Sequence, residues 1–111
     1  MAYLHIENLY KPEAQGILKH AELYALEKIH GTSAHVRWNG ESLTLFSGGE
    51  KHEAFSALFD QPRLAHAMAT TYGRDHCTVY GEAYGGKCQG MRATYGESLR
   101  FVAFDVQVGD A

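Results

Sequence analysis

The stretch "SAHVRWNGESLTLF", residues 33–46, constrains the fold more than any other part of the chain. Two runs, "SAHVRW" and "ESLTLF", flank Asn39-Gly40. Asn-Gly tolerates positive φ at both central positions of a tight turn, so the pair predicts an antiparallel β-hairpin.

Around this hairpin the punctuation predicts the remaining elements. Residues 1–12 read as irregular, with Leu4, Ile6 and Leu9 as anchors. "PEAQGILKH" (12–20) predicts a short helix: Pro12 suits its first turn and Gly16 weakens it. "AELYALEKI" (21–29) alternates in part and predicts a strand buried on parts of both faces. In 47–60, a flexible Ser47-Gly48-Gly49 start gives way to Ala54, Phe55, Leu58 and Phe59 at helical spacing. A second helix follows over 61–73, closed by Gly73. Residues 76–84 and 99–108 read as strands, and the glycine-punctuated stretch between them as a loop. The order is helix, three strands, two helices, two strands. That is an α+β fold with an antiparallel or mixed sheet and flanking helices, not a run of βαβ units. At 111 residues one domain is expected, with a modest core.

The final strand is strongly apolar, with Leu99, Phe101, Val102, Phe104, Val106 and Val108. Such a strand normally lies inside a sheet. Its position near residue 111 leads to the expectation of a fragment or a partner, or else of a terminal strand tucked mid-sheet.

Composition excludes several classes. The net charge of −3 argues against a wholly basic nucleic-acid-binding domain, though not against a local basic patch. The N-terminal "MAYLHIENLYKPEAQ" has no basic segment leading into an apolar run, so no secretory signal is expected. No apolar stretch approaches a membrane span. Two cysteines without a CxxC pair fit a reduced, cytoplasmic setting.

Three short stretches carry chemistry. In the first, Lys28 is followed by His30, Gly31, Thr32 and Ser33. A lysine amine becomes a nucleophile only when deprotonated, which a desolvated pocket or a nearby cation favours. Gly31 would allow close approach of backbone to a phosphate. On residue types alone, a solvated strand-end lysine is the commoner reading. In the second, "VYGEAYGGKCQGM", Glu82 stands in an otherwise apolar strand before a glycine-rich loop. Its carboxylate could accept a ribose hydroxyl, help bind a metal, or simply face solvent. The loop matches neither GxGxxG nor GxxxxGK[ST]. In the third, "FVAFDV", alternation puts Phe104 and Asp105 on opposite strand faces, and an aromatic ring can stack on a base for about 1–3 kcal/mol. The seven histidines show no zinc spacing, and no metal ligand is assigned.

Taken in order, these stretches resemble the motifs of covalent nucleotidyltransferases. "EKIHGTS" is similar to the K-x-D/H-G lysine motif, in the histidine form with a preceding glutamate that marks ATP-dependent RNA ligases of the double-strand-sealing phage branch. "VYGEAYGG" resembles their third motif and "FVAFDV" the one after it. The likeness covers about residues 23–108. It implies a partial nucleotidyltransferase (ATP-grasp-like ligase) domain. It also implies a cytoplasmic, phage-like RNA-repair chemistry using ATP and Mg²⁺ on RNA ends, with no membrane. Lys28 would attack the ATP α-phosphorus and release pyrophosphate. AMP would then pass to an RNA 5′-phosphate, and a 3′-hydroxyl would expel it. Glu82 would hold the ribose hydroxyls, Phe104 would stack on adenine and Asp105 would support the pocket. Glu27, His30 and Gly31 would flank the nucleophile and fix the nucleotide.

The chain also departs from that pattern. An arginine is expected where Gly48 stands; Arg37, Lys51 and Arg63 are all open as substitutes. Ser33 occupies a common asparagine position. A later metal-binding glutamate motif and a paired-lysine motif would fall beyond residue 111, so the expectation is the N-terminal part of an adenylyltransferase domain. Two further readings stay open. One is a degenerate or split ligase that binds nucleotide or RNA with a second chain. The other is a DNA ligase or capping-type guanylyltransferase, against which His30 and "GEAYGG" weigh.

Overall fold

The predicted hairpin is present: Thr32–Trp38 (β1) pairs antiparallel with Leu43–Ser47 (β2), Trp38 opposite Leu43. The structure is a computed structural model that describes residues 3–109. The turn differs from the one expected. Residues 39–42 form a four-residue loop in which Gly40 has positive φ (92°) and Asn39 does not. Asn39 acts through its side chain instead: Oδ1 accepts the N–H groups of Glu41 (2.9 Å) and Ser42 (2.8 Å). An Asx-type bond of this kind substitutes for a backbone turn.

Two further strands, Cys77–Tyr84 (β3) and Arg100–Val108 (β4), complete a four-stranded sheet in the order β2-β1-β3-β4. Every pairing is antiparallel, so the fold is α+β with an antiparallel sheet. The helices are His52–Ser56 (α1), Gln61–Tyr72 (α2) and a single turn at Arg92–Tyr95 (α3), with 3₁₀ segments at Pro12–Lys19 and Cys88–Gly90. Asp60 caps α2, accepting Arg63 N–H at 3.2 Å, and Gly73 closes it as the sequence predicts.

Alternation along the strands gives the sheet one apolar face. Ala34, Val36, Leu45 and Ala83 on that face are buried with Phe55 of α1, and Phe59, Leu64 and Phe101 pack around them. Phe55 is fully buried and meets Phe59 and Phe101 edge-on, at 5.2 and 5.7 Å between centroids. A second cluster joins Trp38, Met68 and Cys77, and the Trp38 indole donates to Gly73 O at 2.9 Å. The helices therefore cover one face and leave the other for the site.

One expected element is absent. Residues 21–29 form no strand, and Leu23, Tyr24 and Leu26 are exposed. A strand needs a neighbour's backbone, and both edges of the adjoining β1 are already taken by β2 and β3. Of the two alternatives for the apolar strand β4, the mid-sheet position is not the one observed: β4 lies at the sheet edge, paired with β3 alone among the described residues. Phe104 and Val106 are exposed on it. The anchors expected in the leading segment are also exposed: Leu4, Ile6 and Leu9 all lie outside the core. Among the described residues no helix is long and apolar enough to cross a membrane.

Candidate functional site

On the face of the sheet away from α1 and α2 lies a cleft of about 740 Å³. Small-molecule sites commonly occupy about 300–1,000 Å³. Its walls come from three places: the leading segment (Tyr3, Ile6, Asn8, Leu9), residues 26–29, and the strands β3 and β4 at Glu82, Val102 and Phe104. Glu27, Lys28, Glu82 and Phe104, drawn from three separate stretches of the sequence, thus share one cavity.

The lysine stretch divides into three parts. Glu27, Lys28 and Ile29 border the cleft from an irregular, exposed segment. Lys28 makes no hydrogen bond or ion pair among the described residues. His30 lies outside the cleft wall; its backbone N–H donates to Tyr95 Oη at 3.1 Å, and Tyr95 meets Tyr84 edge-on. Gly31 also lies outside the wall, pressed against β3. A methyl group there would collide with the Ala83 carbonyl oxygen and come within 3.0 Å of Glu82 Cγ. The glycine is required for this close approach to the strand. The chain then enters β1, where Ser33 sits directly opposite Glu82. The register of β1 on β3 therefore sets the distance between the lysine segment and the glutamate.

Phe104 reaches the cleft through an irregularity in β4. Tyr80 pairs with Asp105 and Gly81 with Ala103, which leaves Phe104 without a partner. This is a β-bulge, and bulges re-aim side chains. Gly81 opposite it has no side chain, so Val102 O and the Phe101 ring come close over it. The expected alternation fails at this point: Phe104 and Asp105 face the same side. Tyr3 touches both, with its ring 5.0 Å from that of Phe104 and its hydroxyl donating to Asp105 Oδ2 at 2.7 Å. Asp105 does not line the cleft; its other oxygen accepts Val106 N–H at 2.9 Å. The Asp105 carboxylate accepting the Tyr3 hydroxyl raises the phenol's pKa.

Charge on the cleft wall is mainly negative. Glu7 is matched by His5 Nε2 (2.7 Å) and Lys11 Nζ (3.0 Å), which leaves Glu27 and Glu82 against Lys28. Arg37, Lys51 and Arg63, the open substitutes for the missing arginine, do not line it, and nor does Gly48, whose N–H donates to Ser33 O. Cys88 is buried behind β3, donating to Ala83 O at 3.5 Å. Burial, then the nearby Glu50 and Glu82 carboxylates, push its thiol pKa up, so it is a poor nucleophile at neutral pH. Among the described residues no group of three or more His, Cys, Asp or Glu is arranged to hold a metal ion.

Tyr3, Asn8, Ile6 and Leu9 also line the cleft, and no motif in the sequence marks them as site residues. Leu9 and Ile6 stood out only as apolar residues in an irregular segment, and nothing local marks Tyr3, whose partner is 102 positions away. No family model matches the chain, and no curated protein or solved structure matches it.

Proposed function

We propose that the cleft binds ATP and that Lys28 accepts AMP from it, as in an RNA ligase-type adenylyltransferase. The convergence of Glu27, Lys28, Glu82 and Phe104 on one cavity of nucleotide size is the observation that supports this reading. In it, the base stacks on the exposed Phe104 ring and Glu82 accepts the ribose hydroxyls. Lys28 Nζ, having lost a proton, attacks the α-phosphorus. The N–P bond forms as the bond to pyrophosphate breaks. AMP then passes to an RNA 5′-phosphate, and a 3′-hydroxyl displaces it to seal the strand. The covalent intermediate divides one difficult displacement into easier ones. The described side chains do not form a metal site of their own, so Mg²⁺ enters only as the companion of ATP in the substrate, and no step is assigned to it.

The charge of the wall favours a second reading. One lysine facing two unmatched glutamates does little to neutralise a triphosphate, and electrostatic stabilisation is usually the largest catalytic contribution. The alternative is a binding module that takes the nucleoside end of a nucleotide and relies on a second chain for phosphate contacts.

Intact mass after incubation with ATP and Mg²⁺ separates them. The first reading expects an adenylyl adduct that is absent from Lys28→Ala. ATP binding without an adduct supports the module. Neither binding nor adduct removes both.

A further inference from the structure

We propose that Tyr3 is a positioning residue for the nucleotide base, holding Phe104 and Asp105 in the arrangement the cleft presents. The inference rests on the nucleotide reading above and extends it to the leading segment. Phe104 is the unpaired residue of the β4 bulge, so strand pairing does not fix it. It is 54% exposed, and among the described residues its one ring neighbour is Tyr3, at 5.0 Å and 80°. Tyr3 is in turn held on its other side. Its ring meets that of Tyr80 at 5.1 Å, and Tyr80 is buried in β3 opposite Asp105. The Tyr3 hydroxyl completes the brace with its 2.7 Å bond to Asp105 Oδ2.

The result is a chain of contacts from the buried sheet through Tyr3 to the two consecutive residues of the bulge. An edge-on neighbour steadies Phe104 and differs from the parallel stacking a base would use. The exposed part of Phe104 leaves room for that base. Holding the ring in place before binding removes an ordering cost that the ligand would otherwise meet. Asp105 then acts through Tyr3 rather than on the nucleotide, which accounts for its position outside the cleft wall.

The test uses the full chain and ATP as the probe. Tyr3→Phe keeps the ring and loses the hydroxyl; ATP affinity is expected to fall about threefold. Tyr3→Ala removes both and should weaken ATP by more than about tenfold. At saturating ATP, adduct formation should keep its wild-type rate, because Tyr3 acts at the base and not at Lys28. A general loss of structure would lower both quantities. Asp105→Ala combined with Tyr3→Phe should be no weaker than the worse single variant, since each removes the same bond. The inference is overturned if Tyr3→Ala binds ATP within about twofold of wild type, or if the Tyr3→Phe and Asp105→Ala effects simply add. Should Tyr3→Ala fail to fold, Tyr3→Phe and the double variant decide. A wild-type chain that does not bind ATP defeats the nucleotide reading and this inference with it; a wild type that binds beside unaffected Tyr3 variants defeats the inference alone.

Discussion

Replacing Gly31 with alanine tests how the lysine segment is tied to the sheet. The new methyl group would overlap the Ala83 carbonyl oxygen and crowd Glu82 Cγ at 3.0 Å. Neither is the far end of a flexible side chain; one is strand backbone. The start of β1 would have to lift from β3 by roughly an ångström before reaching the 3.4 Å of ordinary contact. That strains the Thr32–Ala83 and Ser33–Glu82 pairs. Forcing a methyl group into a packed site typically costs about 1–3 kcal/mol, so urea unfolding should show that loss as a lower midpoint with an unchanged slope. Misplacing reacting groups by about 1 Å can cost on the order of a hundredfold in rate, so under the adenylyl-transfer reading the adduct yield should fall further than stability does. Gly16→Ala is the control. Nothing lies within 4 Å of its new methyl, and the exchange should be neutral or slightly stabilising. A Gly31→Ala protein within about 0.5 kcal/mol of wild type would show that β1 and β3 do not hold this register tightly, and the reasoning would fail.

Other expectations are briefer. Phe55→Ala empties an aromatic position with no exposed surface and should cost about 3–5 kcal/mol in denaturant unfolding; a loss under about 1 kcal/mol would mean that the aromatic cluster is not the core. Asp60→Ala removes the α2 cap and should cost about 1 kcal/mol, with Asp60→Asn recovering most of it. Burial, aided by the Arg37 charge, lowers the His35 pKa from its usual 6.5. The unfolded chain therefore takes up the proton more readily, so the stability His35 contributes is present above about pH 6.5 and is lost as pH falls through that value toward the folded pKa. Proton NMR should show the His35 ring titrating below 6.5, and a midpoint at or above it would contradict the burial argument.

Local signals were read well where local chemistry decides. The Asn39-Gly40 hairpin, the α2 helix with its closing Gly73, and the strands β3 and β4 were all legible, because turn residues and periodicity act within a few positions. Residues 21–29 misled for a global reason: their alternation suits a strand, but no sheet edge next to β1 was free. The apolar run of β4 suggested burial, yet its place at the edge depends on strand order, which no local pattern carries. The bulge was equally hidden. Only the register against Tyr80 and Gly81 shows that Phe104 and Asp105 face one way. The resemblance named Glu27, Lys28, Glu82 and Phe104, which share the cleft, and His30, Gly31 and Asp105, which lie outside its wall. Tyr3 was invisible because its contacts span almost the whole chain.

The bulge also shapes the open edge of the sheet. β4 is an edge strand rich in valine and phenylalanine, the kind that recruits other chains through its open hydrogen-bonding groups. An extra residue at Phe104 interrupts its flat repeat and increases local twist, which makes the edge a poor template. Deleting Phe104 would restore a regular ladder with β3. The shortened protein is expected to associate more readily along this edge, which size-exclusion chromatography would show as larger species than wild type.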